Sequence, residues 1–223
     1  MRSEEALRLL DQLIRHRSIL QHPFYLAWQR GELTHNHLAA YATVYYPHVA
    51  AFPGYLRNAI RCAVDPVTRD ELQDNLVDEL TNPAPHPELW LDFAEAAGAD
   101  RAAVRSCPAS PKTVNTILTF DRLTARDSAS GLAALYAYES QQPAVAVEKI
   151  QGLRSFYGIS SREAVQYFTV HATADIEHCD AERAALGRCL ETGASTAEIM
   201  TAAEQALSAY WNLLDGVCEE AAA

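Results

Sequence analysis

The chain has 223 residues, 49% of them hydrophobic, and a formal net charge of −11, which suits one domain with a core of its own. That charge, with no cluster of Lys or Arg, excludes the basic patch that nucleic acid or an anionic lipid surface would need. No apolar run approaches the roughly 20 residues of a membrane span, and five cysteines without a CxxC pair read as reduced thiols, several of them buried, in a cytoplasmic protein.

Helix formers dominate, β-branched residues are sparse and the few glycines sit where helices would end, so the expected class is all-α. Ser3 with Glu4 and Glu5 opens an amphipathic helix through Leu7, Leu10 and Ile14, with no signal-peptide core. A short piece over Phe24 to Arg30 ends at Gly31. Thr34 caps a long segment that Pro47 and Pro53 should kink or divide. Asp65-Pro66 is a cap followed by proline at the first helical position and predicts a helix to about Leu80. The prolines between Asn82 and Pro87 end it, and another helix runs through Leu89 and Phe93 to Gly98. Ser110-Pro111 repeats the cap-plus-proline device. Ser128 or Ser130 starts a helix that passes Pro143 and reaches Tyr157-Gly158. Ser160 or Ser161 opens a long helix to about Leu190, and Ser195 caps the last, whose alanine-rich end over about 216–223 is expected to fray. Seven or eight helices in a single domain over 1–223 follow.

The chemistry concentrates in His171-Ala-Thr-Ala-Asp175-Ile-Glu-His178. At about 100° per residue these three side chains share one helix face, and two imidazoles with a carboxylate suit Fe or Mn. Alone, such a stripe is more often a polar surface. Glu139 changes the weighting, because it shares an otherwise apolar face with Leu132, Leu135 and Tyr136 and so points inward. A buried acid needs a cation, either a metal or an arginine. Glu79, on a face with Leu72 and Leu76, and His86 seven residues later add a second Glu/His pair. Helical bundles build dinuclear sites from inward carboxylates and histidines, although the Glu-x-x-His repeat of ferritin-like proteins is absent.

Several longer patterns carry a family resemblance: Tyr25-Leu-Ala-Trp28-x-x-Gly-Glu-Leu-Thr34, Leu38-Ala-Ala-Tyr41-x-x-x-Tyr45-Tyr46-x-His48, Leu135-Tyr-x-Tyr138-Glu139-Ser-Gln, Glu148-Lys149-Ile-x-Gly-Leu153 and His171-x3-Asp175-x2-His178. Over nearly the whole chain this resembles the family of the chlamydial protein associating with death domains (CADD), haem-oxygenase-like di-metal oxidases related in fold to TenA and PqqC. The resemblance implies a seven-helix haem-oxygenase-like bundle and two metal ions, Fe/Fe or Mn/Fe, held by Glu79, His86, Glu139, His171, Asp175 and His178. It also implies O2-dependent formation of p-aminobenzoate for folate synthesis, with a reductant. A tyrosine of the protein, Tyr25 or Tyr41, would supply the ring, and Lys149 the amino group. Without it, these tyrosines would read as core aromatics and Lys149 as a surface lysine.

Two other readings compete. One is a di-metal oxygenase acting on an external fatty or amino acid, which a long apolar channel would favour. The other is a protein-interaction module, for which no exposed apolar motif is legible. A TenA-like thiamin hydrolase or a metal-free PqqC-like oxidase would not need all six ligand positions. Haem on His16 would sit poorly beside Glu79, Glu139 and Asp175. Bundles of this class often form dimers, so a homodimer stays an open expectation.

Overall fold

A computed structural model of the chain describes residues 3–222. Among them are twelve α-helices and no strand: α1 Ser3–His16, α2 Pro23–Gln29, α3 His35–Cys62, α4 Pro66–Thr81, α5 His86–Ala96, α6 Arg101–Ser106, α7 Pro111–Arg126, α8 Ser128–Glu139, α9 Gln142–Ser155, α10 Arg162–His171, α11 Ala174–Glu191 and α12 Thr196–Ala222. The all-α, single-domain expectation holds. The higher helix number comes from two short helices and from breaks inside two segments that the pattern reads as continuous.

The caps explain the starts. Asp65 accepts from the Val67 and Thr68 amides ahead of α4, and Ser110 accepts from Thr113 ahead of α7. Before α8 the cap is Asp127, which accepts from Ser130, rather than either serine. Pro47 and Pro53 do not divide α3, which runs unbroken. Trp90 Nε1 donates to the Ala42 carbonyl at 2.8 Å and Thr113 Oγ1 to that of Val44 at 3.1 Å. Neighbouring helices thereby engage backbone acceptors one turn before Pro47. The C-terminal stretch from Gly216 to Ala222, expected to fray, continues α12: Val217 is buried and Lys112 Nζ holds Glu219 at 2.6 Å.

The first unexpected break falls at Ser140 and Gln141. Gln141 leaves the helix to take the Ile19 amide on its Oε1 at 2.8 Å, while its Nε2 donates to the Ala137 carbonyl. Glu139 therefore closes α8, and Lys149 lies on α9 instead of on the same helix. The second break is at Ala172 and Thr173, where the Thr173 and Ile176 amides bond three residues back rather than four. His171 thus ends α10, while Asp175 and His178 belong to α11.

Helix α8 is buried without interruption from Ser130 to Glu139 and packs against α12, α11 and α7. This central element presents Glu139 to α4 and α11, while α5 and α10 close the other flank. No described helix is long and apolar enough to cross a membrane. The five cysteines are free, but they are half-buried or exposed rather than buried.

Candidate metal centre

All six sequence-derived ligand positions come together, in two triads: Glu79, His86 and His171, and Glu139, Asp175 and His178. Within each, the potential ligand atoms lie within 4.8 Å of one another. The stripe on a single helix is thereby corrected. The break at Ala172 gives His171 to one triad and leaves Asp175 and His178 to the other. His86 also departs from the imagined continuation of α4. It opens α5 instead, and the intervening loop brings its Nδ1 to 2.9 Å from Glu79 Oε1.

Each histidine is oriented by one ring nitrogen and leaves the other facing the carboxylates. His86 Nε2 is 3.2 Å from the Asn82 carbonyl, His171 Nδ1 is 2.7 Å from that of Tyr167, and His178 Nε2 is 3.2 Å from Asp78 Oδ2. That leaves His86 Nδ1, His171 Nε2 and His178 Nδ1 pointing inward, an arrangement typical of metal-binding histidines. His86 Nδ1, His178 Nδ1, Glu139 Oε2 and Asp175 Oδ2 are buried without a hydrogen-bond partner among the described residues. The short His86–Glu79 approach is close enough for ion pairing but misaligned for a hydrogen bond. Orphaned atoms of this kind, in a mixed N/O set, fit a divalent Fe or Mn ion at each triad.

Electrostatics support the same fit. Burial would raise the Glu79 carboxyl, yet the imidazoles of His86 and His171 hold it down at about 2. Burial would lower His171 and His178, but Asp175 with Glu79 or Glu139 pushes each up to about 9. Burial raises Glu139. Among the described residues no arginine pairs with Glu139, whose partners are Asn75 Nδ2 at 3.0 Å and His178. Sequence reading missed Asn75, Asp78 and Glu182. Asn75 and Glu79 are four apart on α4, and Glu182 follows His178 by four on α11, so helical spacing could have found both.

The three remaining candidates form a second cluster. Lys149 is only 3% exposed, with Nζ 3.9 Å from the Tyr41 ring centroid, 5.1 Å from Phe168 and 5.3 Å from Tyr25. Trp28, Tyr45 and Trp90 complete the cage. Cation–π attraction favours the ammonium, by about 2 kcal/mol when desolvated. Burying a charge with no anion beside it costs more, so burial holds this amine well below the usual lysine range. Tyr25 and Tyr41 are fully buried, and neither hydroxyl has a hydrogen-bond partner among the described residues.

Tyr167 and His171 connect the clusters. They line a cavity with Glu79, Glu139 and Asp175, and also a second cavity with Tyr41 and Lys149. Each cavity has a volume of about 10 Å³, room for one water.

Residues 39–211 match the family described as iron-containing redox enzyme. A 4-aminobenzoate synthase of Nitrosomonas europaea is 40% identical, over 94% of this chain and 89% of its own. The 4-aminobenzoate synthase of Chlamydia trachomatis is 38% identical, over 92% and 89%. Among solved structures, a TenA homologue from Pseudomonas syringae superposes with a TM-score of 0.80 at 16% identity, covering 97% of this chain and 93% of the other. A CADD-like protein from Nostoc punctiforme gives 0.77 at 20% identity, covering 98% of both. The fold, the paired triads and these relatives lead to one assignment: the chain belongs to the haem-oxygenase-like family of iron-containing redox enzymes.

Proposed function

We propose that this chain is an O2-dependent oxidase that forms p-aminobenzoate from its own side chains. In this reading Glu79, His86, Glu139, His171, Asp175 and His178 hold two metal ions, Fe/Fe or Mn/Fe. Tyr25 or Tyr41 supplies the ring, and Lys149 the nitrogen. The shared name of the relatives points to the product. The observation that carries the source of its atoms is the buried amine of Lys149, 3.9 Å from the centre of the Tyr41 ring and 5.3 Å from that of Tyr25.

The atoms balance. A tyrosine side chain already holds a ring with a carbon para to its oxygen. Conversion requires breaking Cα–Cβ with a hydrogen left on Cα, and oxidising Cβ to a carboxyl. The phenolic oxygen leaves as water as Nζ of Lys149 condenses onto the ring carbon, and hydrolysis of the rearranged imine breaks Cε–Nζ and leaves the lysine Cε as an aldehyde. O2 and a reductant supply the redox equivalents, and a reduced metal pair, when bound, activates the O2.

The protein's own groups set up the rest. The Asn82 and Tyr167 carbonyls and the Asp78 carboxylate fix the three imidazoles. Burial keeps the Tyr167 phenol protonated, well above its ordinary range, between the two cavities. The aromatic cage excludes water from Lys149, and this burial holds its amine well below the usual lysine range, favouring the neutral form whose lone pair can bond to carbon. The small cavities beside the candidate site, about 10 Å³ each, favour this reading over an external fatty acid.

Purified protein loaded with Fe(II), with and without Mn(II), should release p-aminobenzoate on exposure to reductant and O2 with no organic substrate. Its intact mass should change in step. With nitrogen-15 lysine in the protein, the label should appear in the product, and Lys149→Met should abolish release. Metal-loaded protein that yields no product, or product whose nitrogen carries no label, would overturn the reading.

A further inference from the structure

Beyond the six candidate ligands, α11 carries a further buried carboxylate, Glu182. Glu182 follows His178 by four residues and Asp175 by seven, so it lies on the face that presents both. It is 3% exposed, and among the described residues no N–H or hydroxyl donates to either carboxylate oxygen. The basic residues nearest in sequence are engaged elsewhere, Arg183 with Glu4 and Asp11, and Arg188 with Asp65 and Glu71. The side chain instead lies against Glu139, itself short of a partner on Oε2, and borders a small cavity with His178 and Asn75. Glu182 thus adds a third buried carboxylate beside the cluster of Glu139, Asp175 and His178, which holds a single imidazole. Such an excess of acid in the interior calls for a multivalent cation.

We propose that Glu182 is a fourth side-chain ligand of the metal position framed by Glu139, Asp175 and His178. This rests on reading that triad as a metal site. It makes the two positions chemically unequal. The Glu79 position offers two imidazoles and one carboxylate, whereas the Glu182 position offers one imidazole and three carboxylates. The oxygen-rich set suits a harder ion such as Mn(II), and the nitrogen-richer set suits Fe(II).

Binding can be read without turnover. Mn(II) titrated into the metal-free protein, followed by loss of the free-ion paramagnetic resonance signal, should show two bound equivalents. Glu182→Gln, which keeps the shape but removes the charge, should retain one and bind the other at least about 100-fold more weakly, since even groups behind a ligand cost 10–100-fold. Glu182→Cys loaded with Co(II) should show a thiolate-to-metal charge-transfer band that is absent from wild type and from Glu182→Ala, which a merely structural role for Glu182 would not produce. Two equivalents of unchanged affinity in Glu182→Gln, without a thiolate band in Glu182→Cys, would overturn the proposal and leave the metal centre standing. Failure of the wild type to bind any metal would remove both.

Discussion

Lys149→Met separates the two forces acting on the caged amine. Methionine keeps the length and apolar stem and packs well against aromatic rings. In the unfolded chain the amine holds its proton up to about pH 10.5. In the fold, burial drives it off, so folding must remove a proton, and this penalty grows as pH falls below 10.5. Each pH unit is worth about 1.4 kcal/mol for as long as the folded amine stays neutral. Methionine removes the penalty. It should therefore stabilise the metal-free protein by about 1.4 kcal/mol at about pH 9.5 and by about 2.7 kcal/mol at about pH 8.5. At about 2–4 °C per kcal/mol for a chain of this size, the melting temperature rises by about 3–6 °C and 5–11 °C. Thermal unfolding followed by circular dichroism, with both proteins scanned between those pH values, provides the test. A gain that does not change with pH would mean that the amine keeps its proton inside the cage. That would refute the neutral nucleophile on which amine transfer depends.

Gly152→Ala should destabilise the protein by about 2–4 kcal/mol, combining overpacking with a lost hydrogen bond. A Cβ there would stand 2.7 Å from Cδ1 of the Trp28 indole and closer still to Nε1, which donates to the Glu148 carbonyl at 3.2 Å. Urea unfolding would show this, and Trp28→Phe in the same chain should recover part of the loss; unchanged stability would mean the indole is not fixed there. The raised imidazoles predict opposite responses to pH. In metal-free protein, His171 and His178, at about 9 against an ordinary 6.5, contribute stability below 6.5 that is lost as pH rises through 9. Raising an imidazole from 6.5 to about 9 corresponds to roughly 3 kcal/mol, counted once because both imidazoles draw on Asp175. Metal affinity should climb over the same window, because a metal needs neutral imidazoles. The stability difference between wild type and His171→Gln, in which the Lys149 contribution cancels, measures the first effect and calorimetric metal titration the second; a difference that widens as pH rises would contradict the assignment.

What could be read in the sequence was local. Asp65-Pro66 and Ser110-Pro111 set their helices through a side-chain cap and a fixed φ, neither of which needs a tertiary partner. Glu139 was legible because an acid on an otherwise apolar face is carried into the core, where its charge must meet a cation. The break after Glu139 was not, because it exists through the bond from the Ile19 amide, more than a hundred residues away in sequence. The break after His171 carries no glycine or proline signal either. Lys149 looked like an ordinary surface lysine on pattern alone, since its cage is assembled from α2, α3, α5 and α10. The role of Gly152 was hidden for the same reason, as only the approach of Trp28 forbids a side chain there.

The two helix breaks also account for how one site can hold so much unlike chemistry. Without the break at Ala172, His171, Asp175 and His178 would line one face of one helix. With it, His171 turns to Glu79 and His86, while Asp175 and His178 meet Glu139. Without the break at Ser140, α9 could not carry Lys149 away from the acids and into the aromatic cage. This separation matters because a lysine within reach of Glu139 or Asp175 would keep its proton by ion pairing. Here carboxylates raise the imidazoles of His171 and His178, while aromatic rings surround an amine from which burial removes the charge. Protonated imidazoles offset part of the buried negative charge in the metal-free protein, and metal ions would displace those protons on loading. The same fold thus offsets part of its buried acid without metal, and holds the amine well below the usual lysine range in a cavity that shares the Tyr167 and His171 walls with the metal centre.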